Sequence, residues 1–195
     1  MDLKEKIRTS LALHKRVRIP PGPVQAAVLI PLFLKDGACH ILFTKRTENL
    51  QHHRGEVSFP GGVSHPEDAD TLTTALRETW EEVGIPPENV EILGVLDDFL
   101  SIHNYLVTPY VGFFATEHQL QINPAEVERI IEVPLGFLLT PGIFQLRDWT
   151  WQGRTLALYC VDYEGDRIWG LTAAMLKQFV EIISAGADRH HLENI

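Results

Sequence analysis

The segment Thr71 to Val83, TLTTALRETWEEV, carries both a start and a stop signal for one short helix. Asp68, Asp70 and Thr71 offer side-chain oxygens to the unpaired amides of a first turn, and Gly84 followed by Ile85-Pro86-Pro87 supplies a left-handed terminal residue and then a break. At about 100° per residue, Leu72, Ala75, Leu76, Thr79 and Val83 fall on one stripe, predicted to be buried, while Glu78, Glu81 and Glu82 gather on the other side. Glu78 and Glu82 are one turn apart with Glu81 between them, so the spacing lets their oxygens converge on a hard cation that keeps several waters, magnesium or manganese. Arg77, one residue before Glu78 and four before Glu81, can orient a carboxylate and reduce the repulsion among the three acids. An isolated Glu-Glu pair is more often a solvated helix face, so the surrounding residues have to decide between the two readings.

The rest of the chain reads as one mixed α and β domain. Leu3, Ile7, Leu11 and Leu13 suggest an N-terminal amphipathic helix, followed by the proline-rich stretch Ile19-Pro20-Pro21-Gly22-Pro23. Val24 to Leu34 and Cys39 to Thr44 are apolar strand candidates joined across Asp36-Gly37, a hairpin signal. Val90 to Leu96 and Leu106 to Ala115 read as further strands. Leu156 to Tyr163 and Asp166 to Trp169 suggest a second hairpin, leading into a helix from Leu171 to Ala185. The division predicted is a helix and lead-in over 1–23, a domain over 24–187 and a polar tail over 188–195.

Charge and composition bound the partners. With 195 residues, 45% hydrophobic content and a formal net charge of -9, the chain can build one core and is a poor bulk binder of nucleic acid. Its longest apolar run, Ala26 to Leu34, is interrupted by Pro31 and falls far short of the roughly 20 residues that span a bilayer, so no membrane partner is expected. The opening residues lack the apolar core of a secretory signal. Cys39 and Cys160 each sit in an apolar run and read as buried free thiols of a cytoplasmic protein. Against this acidic background, Lys45, Arg46, His52, His53 and Arg54 form a local basic patch suited to a multiply phosphorylated small molecule.

Gly61-Gly62, Arg77-Glu78, Glu81-Glu82 and Gly84-Ile85 together resemble the Nudix box, the metal-binding loop and helix of Nudix hydrolases. Asp68 stands at the position of the first acid of the box, which is one residue longer here, and Thr79 replaces an apolar residue. Upstream, Leu42-Phe43-Thr44-Lys45-Arg46-Thr47, Leu50, His53, Gly55 and Phe59-Pro60-Gly61-Gly62 are similar to the extra motif of coenzyme A pyrophosphatases, with Phe43, Thr47 and Gln51 in place of Leu, Ser and Arg. Ile168 to Ala173 also resembles a segment of that subfamily.

The resemblance implies an α/β fold of mixed α+β type in which a mixed sheet is sandwiched between helices. It implies metal-assisted attack of water on a diphosphate, with Glu78, Glu81 and Glu82 as ligands of magnesium or manganese and Gly61 and Gly62 bringing backbone close to metal or phosphate. Lys45, Arg46 and His53 become substrate contacts, and Glu126 or Glu128 a candidate base from another loop. The substrate expected is coenzyme A or a thioester of it, cut to phosphopantetheine and adenosine 3′,5′-bisphosphate. Another nucleoside diphosphate derivative, such as NADH, ADP-ribose or an oxidised nucleotide, is the alternative, and a non-catalytic nucleotide-binding regulator has no need of all three glutamates. A homodimer is left open.

Overall fold

The computed structural model describes residues 2–20, 24–47, 55–115, 120–151 and 153–185. Helix α1, Leu3–Leu13, is capped by Asp2, whose carboxylate accepts from the Glu5 amide at 2.8 Å, and buries Ile7 and Leu11. Strands β1, Val24–Lys35, and β2, Ala38–Arg46, form a tight hairpin. Both of its central residues, Asp36 and Gly37, have positive φ (51° and 80°), the backbone that matches the twist of the two strands. Short strands β3, Val57–Ser58, and β4, Gly61–Val63, lead to helix α2, Thr71–Val83. Strands β5, Val90–Val95, β6, Phe99–Leu100, β7, Tyr105–Phe114, and β8, Val127–Pro134, follow, with a short helix α3, Leu135–Leu138. Strands β9, Gln145–Trp151, β10, Arg154–Tyr163, and β11, Asp166–Trp169, precede helix α4, Gly170–Ala185.

The main sheet runs β3-β2-β1-β7-β5, with β4 added to β1, β6 to β7 and β8 to β2. Among the described residues only β1 and β7 pair in parallel, so the sheet is mixed, and a separate antiparallel sheet runs β11-β10-β9. One face of the main sheet, through Ile30, Leu32, Ile41, Phe43 and Val111, packs with Ile7 and Leu11 of α1 and Leu176 and Phe179 of α4. The opposite face, through Phe33, Leu42 and Phe114, meets Val83 and Ile85 at the end of α2. Burial on both faces explains why β1 and β2 are continuous apolar runs rather than alternating ones. No helix among the described residues is long and apolar enough to cross a membrane.

Several expectations change at this level. Leu13, assigned to the buried stripe of the first helix, is exposed, and α1 is docked through Ile7 and Leu11. The segment after α1 is also tied down. His14 Nε2 lies 2.8 Å from Asp97 Oδ1, and Arg16 Nη2 donates to Asp98 Oδ1 at 2.6 Å. Strands β3, β4, β6, β8 and β9 have no counterpart in the elements read from sequence. In β9 the residues from Gln145 to Thr150 are all exposed, so no buried face marks them. Cys39 and Cys160 are free and buried, and burial pushes the Cys39 thiol up to about 12. The polar tail lies outside the described residues, as do His52, His53 and Arg54.

Candidate active site

Helix α2 begins at Asp70, whose carboxylate accepts from the Thr73 amide at 2.8 Å, and ends at Gly84, in the left-handed region at φ 76°. Its buried side is rotated from the apolar stripe read in sequence: Thr74, Ala75, Thr79, Glu82 and Val83 are buried, whereas Leu72 and Leu76 are only partly so. The Thr79 hydroxyl is satisfied by the Ala75 carbonyl at 2.6 Å. Glu82, expected on the exposed face, is 2% exposed. The correction follows from what α2 packs against: the glycine strand β4, next to β1, leaves room for a carboxylate where a sheet with side chains would require an apolar residue.

That room is specific to the two glycines. A Cβ on Gly62 would lie 2.5 Å from the Glu78 carboxyl carbon and 2.6 Å from both of its oxygens. A Cβ on Gly61, which has φ 154°, would lie 2.3 Å from the Ala27 carbonyl oxygen. Gly62→Ala is therefore expected to push the Glu78 carboxylate aside and reduce kcat at least tenfold with little change in Tm. Gly61→Ala collides with backbone and is expected to cost about 2 kcal/mol or more of stability. Thermal melts and turnover of the two variants, measured side by side, check this; equal effects on Tm would refute it.

Glu82 and Glu78 are both held away from ordinary carboxylate behaviour. Burial pushes Glu82 up to about 8; the Arg46 guanidinium, 3.5 Å from Oε1, opposes this, while Glu78 and Glu126 add to it. Glu82 Oε2 is buried and has no hydrogen-bond partner among the described residues. Burial also raises Glu78, against the pull of Arg77. Arg77 is the organising cation. It donates to Glu78 Oε1 at 2.9 Å, to Glu81 Oε2 at 3.0 Å, and through Nε and Nη2 to the two oxygens of Asp68 at 3.0 Å each. Asp68, read as a cap or as the first acid of the box, is held well below the usual carboxylate range by that fork, and its Oδ2 also accepts from the Thr74 hydroxyl.

The three glutamates are not gathered into one cluster. Glu81 is 49% exposed and leans on Arg77, whereas Glu78 and Glu82 face the glycine strand, and among the described residues no group of three His, Cys, Asp or Glu side chains is assembled to hold a metal. The donor set nevertheless suits a hard divalent cation: a buried carboxylate oxygen without a partner, a second carboxylate seated against Gly62, and a third within reach of the same arginine.

A second loop closes over the end of α2. The Asn123 amide donates to the Glu82 carbonyl at 2.9 Å and the Gln121 amide to that of Val83 at 3.0 Å. The Thr47 amide, at the end of β2, donates to the Glu126 carbonyl at 3.0 Å. Glu126 thereby comes near enough to Glu78 and Glu82 to raise both, and its Oε1 accepts from the Asn123 side-chain amide at 3.3 Å. Glu128 lies within β8.

The basic patch is divided by the strand. Arg46 faces Glu82, and Lys45 donates to Asp166 Oδ1 at 3.2 Å. Asp166, 5% exposed, also pairs with Arg129. Successive residues of a strand leave opposite faces, so two adjacent cations cannot form one patch. Asp166 was not singled out in the sequence; the period of β2 was the available signal.

Comparison with known proteins agrees with this architecture. Residues 23–152 match the family model described as NUDIX domain. The chain is 39% identical over 173 residues to the uncharacterized Nudix hydrolase NudL of Photorhabdus laumondii, covering 85% of this chain and 92% of that one. It is 39% identical over 172 residues to the peroxisomal coenzyme A diphosphatase NUDT7 of Mus musculus, covering 83% and 73%. Among solved structures, a MutT/nudix family protein from Enterococcus faecalis is similar in fold, with a TM-score of 0.52 at 15% identity over 98% of this chain and 84% of that one. A carboxylate pair on the box helix, one buried and one half-buried, backed by two glycines and ordered by one arginine, is thus carried on a matching fold and a matching sequence: the chain belongs to the Nudix hydrolase family.

Proposed function

We propose that the protein hydrolyses the diphosphate of coenzyme A or its thioesters, giving a phosphopantetheine and adenosine 3′,5′-bisphosphate. The observation that carries the diphosphate chemistry is Glu82, a buried carboxylate on the box helix with one oxygen unpartnered among the described residues. The substrate reading rests on the segment from Leu42 to Gly62 and on the similarity to the mouse coenzyme A diphosphatase.

Glu78, Glu82 and Glu81 are the residues that would hold a divalent cation, magnesium or manganese. When bound, the cation neutralises phosphate oxygens and lowers the pKa of a water. The chain's own residues supply the remainder. Arg77 fixes the carboxylates of Glu78 and Glu81, the glycine strand lets phosphate approach backbone, and Glu126 accepts a proton from the attacking water. As water adds to one phosphorus, the bond to the bridging oxygen breaks and the second phosphomonoester leaves, so the main demand on the site is charge stabilisation and in-line geometry.

The test is kcat/KM for coenzyme A, dephospho-coenzyme A, NADH and ADP-ribose, with magnesium and with manganese at slightly alkaline pH. Coenzyme A is expected to lead under both metals. A higher value for NADH or ADP-ribose under both would reject the substrate while leaving the diphosphate chemistry standing. Because Arg46 is engaged with Glu82, Arg46→Ala is expected to lower kcat/KM at least tenfold on coenzyme A and on a plain dinucleotide alike; a loss confined to coenzyme A would make Arg46 a substrate contact instead.

A further inference from the structure

A cleft lies away from the glutamates, between the end of β2, the start of β3 and one face of the β9-β10-β11 sheet. Its volume is about 520 Å3, within the roughly 300–1,000 Å3 usual for small-molecule sites. Neither the glutamate chemistry nor the upstream motif accounts for the face of the small sheet that walls it.

That face carries a repeated pattern. Arg147-Asp148-Trp149 on β9 and Arg167-Ile168-Trp169 on β11 both read Arg-x-Trp, and the two-residue period of a strand puts the guanidinium and the indole of each on one side. The two indoles meet across the sheet, with ring centroids 4.6 Å apart and an interplanar angle of 33°. Trp149 is 44% exposed, so the pair presents aromatic surface to the cleft. The two guanidiniums also converge. Arg147 Nη2 donates to Asp162 Oδ2 at 2.8 Å and Arg167 Nε to Oδ1 at 2.7 Å, two cations on one exposed carboxylate. Among the described residues no hydrogen bond engages Arg147 Nη1 or either Nη of Arg167, so donors remain for a second anion, and ion pairs this exposed are readily rearranged.

Donor geometry and aromatic surface select the ligand. The lining holds Lys45, Arg147 and Arg167 against Glu56, Asp148 and Asp166, a balanced set in a chain of formal net charge -9. Lys45 is committed to the buried Asp166, so Arg147 and Arg167, which share the exposed Asp162, are the two guanidiniums of this face with donors to spare. An aromatic pair beside two guanidiniums with spare donors fits a purine carrying a phosphomonoester: the base stacks on an indole and the phosphate oxygens accept from the arginines. The cleft and the glutamate site flank the end of β2, with Lys45 lining the one and the next residue, Arg46, facing Glu82 in the other.

We infer that the Arg-x-Trp face of the small sheet, Arg147, Trp149, Arg167 and Trp169, binds the 3′-phosphoadenosine end of the substrate and selects for its 3′-phosphate. The inference rests on the coenzyme A reading above, and two readouts separate the fates of the two. The first is quenching of tryptophan fluorescence in the full chain by adenosine 3′,5′-bisphosphate and by AMP. Adenosine 3′,5′-bisphosphate is expected to bind at least tenfold more tightly than AMP, and the Arg147→Ala/Arg167→Ala protein to lose that preference. The second is the ratio of kcat/KM for coenzyme A over dephospho-coenzyme A, expected to fall at least tenfold in the same double variant and in Trp149→Ala, with thermal melts and circular dichroism verifying the fold. If either ratio stays at its wild-type value in the folded double variant, the assignment is overturned, whatever the wild type hydrolyses. If the variants alter only the dependence on acyl-chain length, the cleft holds the thioester arm and the assignment is likewise wrong. A wild type that binds adenosine 3′,5′-bisphosphate through these residues yet fails to cleave coenzyme A would sink the proposed function and leave this site standing.

Discussion

Glu82→Gln is expected to reduce turnover by at least 1,000-fold, on the order of 4 kcal/mol of transition-state stabilisation, while leaving the metal-free protein as stable as the wild type or more so. The two effects have one source. Glu82 is buried beside Glu78 and Glu126, with Arg46 as the opposing charge among the described residues, and its folded pKa of about 8 lies far above the ordinary value of 4.5. Between those two pH values the folded protein keeps a proton that the unfolded chain has released, so unfolding becomes easier as pH rises and the contribution of the protonated group is gone above the folded pKa. The metal-free wild type should therefore lose about 2–4 kcal/mol more stability than Glu82→Gln between pH 5 and pH 8. Magnesium or manganese, by stabilising the carboxylate, should restore the wild type at pH 8 and do little for the variant. Urea unfolding at the two pH values, with and without metal, measures all of this. Parallel pH profiles of the two proteins, or wild-type kcat in Glu82→Gln at saturating magnesium, would remove Glu82 from the centre of the site.

What could be read from the sequence divides along physical lines. The ends of α2 were legible because caps are local: Asp70, Gly84 and the prolines act on their immediate neighbours. The hairpin at Asp36-Gly37 was legible for the same reason. The rotation of α2 was not, since hydrophobic periodicity assumes that the buried side is apolar. Here the buried side faces Gly61 and Gly62, and Glu82 is buried where Leu72 and Leu76 are only partly so. A functional site is where such a departure is expected, because a buried carboxylate destabilises the fold in return for metal affinity. The basic patch is divided for a different reason, as far as the described residues show it. Lys45 and Arg46 were grouped by adjacency in the chain, but the partners that divide them, Asp166 and Glu82, come from elements 121 and 36 residues further along. Strand β8 escaped notice because Glu128, Arg129 and Glu132 interrupt its apolar residues, although Val127, Ile131 and Val133 are buried.

Removal of Arg77 is expected to have the largest effect on stability. Its guanidinium joins Asp68, Glu78 and Glu81 in one set of charge-assisted hydrogen bonds, and two of those partners have little exposed surface, 5% for Asp68 and 14% for Glu78. Deleting the cation leaves carboxylates desolvated without a counter-charge, a situation that costs about 3–5 kcal/mol when a buried pair is broken. Asp68, whose carboxyl is held low mainly by Arg77, also carries the Thr74 hydroxyl and the His65 amide, so the turn before α2 should loosen with it. Arg77→Ala is thus expected to lose about 3 kcal/mol of stability at pH 7. Its deficit should shrink as pH falls: the depressed pKa of Asp68 gives the wild type a stabilisation that is present above the unfolded carboxylate pKa and lost as acid protonates the folded group. Arg77→Lys retains charge but not the fork, and should recover less than half of the loss. The double variant Asp68→Asn/Arg77→Ala provides the decisive comparison, because neutralising Asp68 removes one of the stranded charges. It should be more stable than Arg77→Ala alone. If urea titrations find the double variant less stable, with the two losses simply additive, then Arg77 acts through packing and not through the carboxylates it bonds.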